Sequence, residues 1–220
     1  MMTYIVTGPY GSGKTEFCVN LAKMLAQDKD KKVVIADLDT INPYFRSREK
    51  VEDLKNHGIQ VMGDHLDNNT GQDLPAVSFA FLSAINRGDH LIIDLGGGKF
   101  GINLLAACYE SLQDYEFLCV LNAFRPETSD AEKMVTFVQS INAACKINVT
   151  GLVSNGHLLH STAATDVLAS QKEVVTAAEK LRLPLSYMLV KNEIYGQIKA
   201  EIKAEKVLTF DQLQMRQDWL

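Results

Sequence analysis

Short apolar runs alternate with longer stretches of helical periodicity along this chain. The runs lie at residues 4–7, 33–36, 59–62, 91–93, 117–121, 149–153 and 187–190. They are apolar on both faces, which is the pattern of strands in a parallel sheet covered by helices on both sides. After the first run, Phe17, Leu21 and Leu25 fall with Cys18 and Ala22 on one side of a helix. Two S-x-x-E capping boxes predict further helix starts. Ser129-Asp130-Ala131-Glu132 precedes Val135, Val138 and Ile141, and Ser170-Gln171-Lys172-Glu173 opens a stretch that ends near Leu183-Pro184. The tail after Gly196 is charged and helix-prone and ends in Trp219-Leu220. That terminal pair is expected to pack back on its own domain, a partner-binding tail being the other reading. No Gly/Ser/Pro-rich linker, repeat or low-complexity block divides the chain. The pattern predicts one α/β domain over residues 1–220, with a helical tail from about 197 and helices on both faces of a mostly parallel sheet.

Composition narrows the class. The chain has 220 residues, 46% hydrophobic and 22% charged, which suits one large soluble domain. A net charge of −5 argues against a general nucleic-acid binder, which needs a basic face. No apolar run approaches the ~20 residues that span a bilayer, so no integral membrane segment is expected. The chain enters its first strand at once, without a basic region or room for a signal peptide, and the expected location is cytoplasmic. Cys18, Cys108, Cys119 and Cys145 are scattered, with no C-x-x-C, and read as small apolar residues of a reducing compartment.

The chemistry is concentrated at residues 8–15, Gly-Pro-Tyr-Gly-Ser-Gly-Lys-Thr. This is G-x-x-x-x-G-K-[ST] between a predicted strand and a predicted helix, the context of a phosphate-binding P-loop. The glycines let successive N–H groups turn toward phosphate oxygens, and the positive end of the new helix faces the same anion. Lys14 can reach the β- and γ-phosphates, and the Thr15 hydroxyl can ligate Mg²⁺. The expected nucleotide contacts are Gly8, Pro9, Tyr10, Gly11, Ser12, Gly13, Lys14, Thr15 and Glu16.

In an open parallel sheet the ligand sits at the carboxyl ends of the strands, so the residues that follow each run matter most. Asp94 ends Leu91-Ile92-Ile93 and leads into Gly96-Gly97-Gly98. It can hold the Mg²⁺ shell, or cap a turn. Asp37 and Asp39 alternate after the second run. Asp37 is assigned to the metal shell and Asp39 to orienting or activating the nucleophile, with turn formation as the other reading of each. The fifth run is followed by Asn122-Ala123-Phe124-Arg125-Pro126 and the sixth by Ser154-Asn155-Gly156-His157.

The P-loop, the run ending Asp37-Leu38-Asp39 with Asn42-Pro43 behind it, and the Asp94 strand with Gly96-Gly97 resemble the CobQ/CobB/MinD/ParA nucleotide-binding family, the MinD-like branch of P-loop NTPases. The resemblance spans roughly residues 1–190. It implies a sheet of about seven strands and a nucleotide-dependent switch. Members of the ParA and MinD type carry a second lysine directly after the first P-loop glycine, which reaches across a dimer. Here that place is Pro9, so a sandwich dimer with a trans lysine does not carry over. The loop is also similar to that of nickel-insertion GTPases. Arg46, Arg48 or Arg125 can bring positive charge to the γ-phosphate instead, or lie in solvent.

For the base, the guanine signature N-K-x-D is absent after the sixth run. In the resembling branch an asparagine at the place of Asn155 often reads the adenine amino group, and an amide both donates and accepts. ATP is therefore favoured over GTP, a plain turn residue being the other reading of Asn155. His157 and His160, and His65 between Asp64 and Asp67, fall short of a structural metal set, and the first pair is expected to line or flank the base pocket. The resemblance implies an Mg-dependent ATPase or switch. Two further readings stay open: a kinase or ligase like dethiobiotin synthetase or the cobyrinate amidases, and a GTP-dependent metallochaperone. For the former, Arg46 and Arg48 beside Tyr44 and Phe45 would hold an anionic small molecule. An unknown protein partner is the other occupant considered for that segment.

Overall fold

The computed structural model of the chain describes residues 2–37, 51–62, 89–95, 105, 109–112 and 114–215. Among the described residues the elements run β1 Thr3–Thr7, α1 Lys14–Leu25, β2 Val33–Asp37, α2 Val51–Asn56, β3 Ile59–Met62, β4 His90–Asp94, β5 Tyr115–Leu121 and α3 Ala131–Ala144. Then come β6 Gly151–Ser154, α4 Ala164–Leu181, β7 Leu185–Lys191, α5 Asn192–Ile198 and β8 Lys206–Phe210. The strands form one sheet in the order β3-β2-β4-β1-β5-β6-β7-β8, and every pairing is parallel.

The double-sided apolar runs explain this sheet. In β1, Ile5 joins one core with Phe117, Cys119 and Leu121 of β5, Leu91 and Ile93 of β4, Met134 and Val138 of α3, and Val174 and Ala177 of α4. Its neighbours Tyr4 and Val6 join the opposite core with Phe17 and Leu21 of α1, Ile35, Ile92, Leu118 and Val120. Alternate residues of a strand point to opposite faces, so one strand feeds both cores. Crossing from β1 to the β4 side and later to the β5 side makes β1 the point where the winding direction changes. Such a point opens a crevice at the carboxyl ends of the strands, and β1 leads directly into residues 8–13.

Three expectations need correction. The tail expected to be helical contains a strand, β8, which brings the sheet to eight strands, close to the seven expected. Helix α5 ends at Ile198, and the charged stretch gives way to Lys206–Phe210, where Leu208 and Phe210 are buried while Lys206 and Thr209 are exposed. That is the two-residue period of a strand against a core. The box at Ser170 does not open a helix: α4 starts at Ala164, where the Asp166 carboxylate accepts the Ala163 N–H at 2.8 Å, and Ser170 is buried inside it. In α3 the cap is Asp130 rather than Ser129, its carboxylate accepting the Lys133 N–H at 2.9 Å. Trp219, Leu220 and Cys108 lie outside the described residues.

Candidate functional site

The crevice after β1 is built by the P-loop. Gly13 has a φ of 88°, in the left-handed region, and turns the loop into α1. It supplies no side-chain cap, which is the arrangement of an anion-binding helix terminus. Lys14 is buried and arches back over the loop, its ammonium donating to the Pro9 carbonyl at 3.1 Å. Ser12 closes the same turn with its N–H on that oxygen at 3.2 Å. Pro9 is buried and Tyr10 is 65% exposed at the rim.

Asp37 and Asp94 end β2 and β4 and are paired in register. Val6, two residues before the loop, is the other partner of Asp94. Asp37, Asp94, Thr15 and Lys14 are all buried. Burial first, then the Asp94 and Asp37 carboxylates, holds the Cys18 thiol well above its ordinary range, with Lys14 pulling it down. One thiol on α1 therefore feels both acids and the lysine. It stays protonated and is no nucleophile. Cys119, pushed up to about 12 by burial, is equally inert. Cys145 is half-buried. The two carboxylates and the Thr15 hydroxyl, all buried, are hard oxygen donors of the kind that fits Mg²⁺.

Two loops grip the P-loop from outside. After β6, Asn155 is buried and its Nδ2 donates to the Ser12 carbonyl at 2.7 Å. A side chain on Gly13 would collide with that amide. After β5, Arg125 Nε donates to the Gly11 carbonyl at 2.8 Å. Asn122 ties these loops together: Nδ2 donates to the His157 carbonyl at 3.1 Å and Oδ1 accepts the Phe124 N–H at 3.0 Å. Ser170 Oγ accepts the Ala123 N–H at 3.2 Å. The roles of Asn122 and Ser170 were missed from the sequence. The signal for Asn122 was its place directly after a strand; none marks Ser170.

Two of the expected nucleotide contacts also bond within the protein. Asn155 gives one of the two N–H donors of its amide to the P-loop backbone at Ser12 O. Glu16 turns from the loop to the chain after β8. Its carboxylate accepts the N–H groups of Gln214 at 2.9 and 3.0 Å and of Met215 at 3.0 Å, and the Asn20 amide at 2.9 Å. Burial raises its pKa, against the pull of those donors. His157 flanks the site, its Nε2 3.5 Å from where a Gly13 Cβ would stand, while His160 is exposed. Among the described residues no group of three or more His, Cys, Asp or Glu could hold a metal ion. Asp39, Arg46, Arg48, Tyr44, Phe45, His65 and Gly96–Gly98 lie outside the described residues.

A glycine loop between β1 and α1, an arched lysine and paired strand-end carboxylates define a P-loop nucleotide-binding domain on a doubly wound parallel sheet. The sequence matches the model of the CobQ/CobB/MinD/ParA nucleotide binding domain over residues 4–199, and the chain belongs to that family. Among solved structures it is similar to the cell division protein FtsY of Thermotoga maritima, at 24% identity and a TM-score of 0.59, over 85% of this chain and 60% of that one. The signal recognition particle receptor FtsY of Elizabethkingia anophelis is similar at 20% identity and a TM-score of 0.55, over 85% and 58%. These likenesses concern the fold, and this chain spans about three fifths of the length of each. No curated protein matches the sequence. Among the described residues no helix is long and apolar enough to cross a membrane.

Proposed function

We propose that this protein is an Mg-dependent nucleoside triphosphatase that prefers ATP and works as a nucleotide switch of the MinD/ParA type. The observation that carries the reading is the Lys14 ammonium held on the loop's own Pro9 carbonyl, beside the in-register pair Asp37 and Asp94. An entering phosphate exchanges a neutral carbonyl for a charged partner of that ammonium. Thr15, Asp37 and Asp94 would hold Mg²⁺, which neutralises phosphate charge when bound.

The N–H groups of the loop and of the first turn of α1, with Lys14, stabilise charge as water attacks the γ-phosphorus in line and the bond to the β–γ bridging oxygen breaks, releasing nucleoside diphosphate and phosphate. Asp39 orients that water. Preference for ATP is supported by the segment Ser154-Asn155-Gly156-His157, which lacks the lysine and aspartate of a guanine-reading N-K-x-D. Buried free Cys18 and Cys119 suit a reducing cytoplasm.

The test is phosphate release from ATP and from GTP, each with Mg²⁺ and with EDTA. Release from ATP that needs Mg²⁺ and vanishes in Lys14→Ala is expected. ATP consumption only in the presence of an added carboxylic acid would make the protein a kinase or ligase. A preference for GTP would overturn the choice of base.

A further inference from the structure

We propose that Arg125 is a positioning residue of the phosphate site: with Asn155 it clamps two consecutive P-loop carbonyls and fixes which way the loop's amides face. The inference rests on the nucleotide-binding reading above and deepens it. Arg125 Nε holds Gly11 O at 2.8 Å and Asn155 Nδ2 holds Ser12 O at 2.7 Å. In a planar trans peptide the carbonyl and the next N–H point opposite ways. Drawing Gly11 O outward therefore turns the Ser12 N–H inward, where it meets Pro9 O at 3.2 Å. Drawing Ser12 O outward turns the Gly13 N–H away from Asn155. The two outer clamps set the inner face of the loop.

A second observation points the same way. G-x-x-x-x-G-K-[ST] does not require glycine at position 11, yet glycine stands there with a φ of 70°. A Cβ on Gly11 would sit 3.2 Å from Arg125 Nε and 3.3 Å from its Cζ, tighter than ordinary contact. Glycine at this place lets the guanidinium lie against the loop.

The arginine is also presented rigidly. The Arg125 N–H bonds Asn122 O at 3.1 Å, the Thr128 N–H bonds Arg125 O at 3.0 Å, and Thr128 Oγ1 bonds Asn122 O at 2.8 Å. The guanidinium is a delocalised cation, so Gly11 O accepts a charge-assisted bond and the adjoining peptide is polarised. This places a fixed cation in cis at the rim of the loop, where Pro9 offers none.

The test compares binding of fluorescent methylanthraniloyl-ATP and -GTP with Mg²⁺ to the parent, Arg125→Ala, Arg125→Lys and Lys14→Ala, with thermal melting as the control for folding. Arg125→Ala is expected to weaken triphosphate binding about 10- to 100-fold, the scale of a lost charged hydrogen bond. Both nucleotides should suffer alike, and Arg125→Lys should recover at least threefold. A Gly11→Ala substitution should cost less affinity in the Arg125→Ala background than in the parent, because both disturb one contact. Unchanged affinity in a folded Arg125→Ala, or additive losses, would overturn the proposal while loss in Lys14→Ala left the P-loop reading standing. A folded parent that binds neither nucleotide would remove both. If Arg125→Ala does not fold, Arg125→Met, which keeps the side-chain length without a donor or a charge, decides by the same affinity: unaltered binding overturns the role, and a tenfold loss supports it.

Discussion

Asp37 and Asp94 face each other as paired residues of adjacent parallel strands, each the last of its strand and both buried. Two carboxylates in that position disfavour each other's charge unless a cation lies between or beside them. Asp37→Asn and Asp94→Asn should each lower affinity for Mg-ATP about tenfold or more while changing affinity for ATP in EDTA little. Titrations with and without Mg²⁺ measure the difference. Equal losses in both conditions would assign the pair to the fold instead of the metal.

Asn155 acts on Ser12, and this gives it a signature different from that of a base reader. Asn155→Ala removes a buried donor and leaves the Ser12 carbonyl without it, a change worth about 1–3 kcal/mol. Affinity should fall by a similar factor for ATP and for GTP. Competition between the two nucleotides on the variant checks this, and a preference that changes tenfold or more would return Asn155 to the base.

Glu16 joins the P-loop helix to the chain after β8, and its raised pKa gives a stability prediction with a definite sign. The folded state binds this proton more tightly than the unfolded chain, whose glutamate titrates near about 4.3. The contribution is therefore full below that value and is lost as pH rises through the folded pKa. The stability of the parent relative to Glu16→Gln should be greatest in acid and decline above roughly pH 4. Denaturant unfolding of both proteins across pH reads it. A parent advantage that grows with pH would contradict the placement of Glu16 in a desolvated site.

How far the sequence carried this account depended on how local each signal was. Strands such as Thr3–Thr7, Val33–Asp37 and His90–Asp94 were legible because a strand buried on both faces is a continuous apolar run, and the edge strand Ile59–Met62 matches its expected bounds although Gln60 is exposed. The strand Lys206–Phe210 was hidden by the charged stretch before it. The Ser170 box failed because Asp166, with no serine or threonine at the cap, starts α4. The P-loop is contiguous and was fully legible. Its supports are not: Asn155 lies 143 residues from Ser12, and Arg125 114 from Gly11. Each of these contacts ends on a backbone carbonyl, and the contacts of Glu16 on the chain after β8 end on backbone N–H groups, which leave no residue pattern to read.

The central claim is that Lys14 and the loop around it bind the phosphates of a nucleotide. The most direct measurement is isothermal titration of the folded protein and of Lys14→Ala with Mg-ATP, followed by displacement with Mg-GTP. The account predicts saturable one-site binding of ATP by the parent, at least hundredfold weaker in Lys14→Ala with its melting temperature preserved, and poorly displaced by GTP. Binding of equal strength in parent and Lys14→Ala, or no binding by a folded parent, would contradict it.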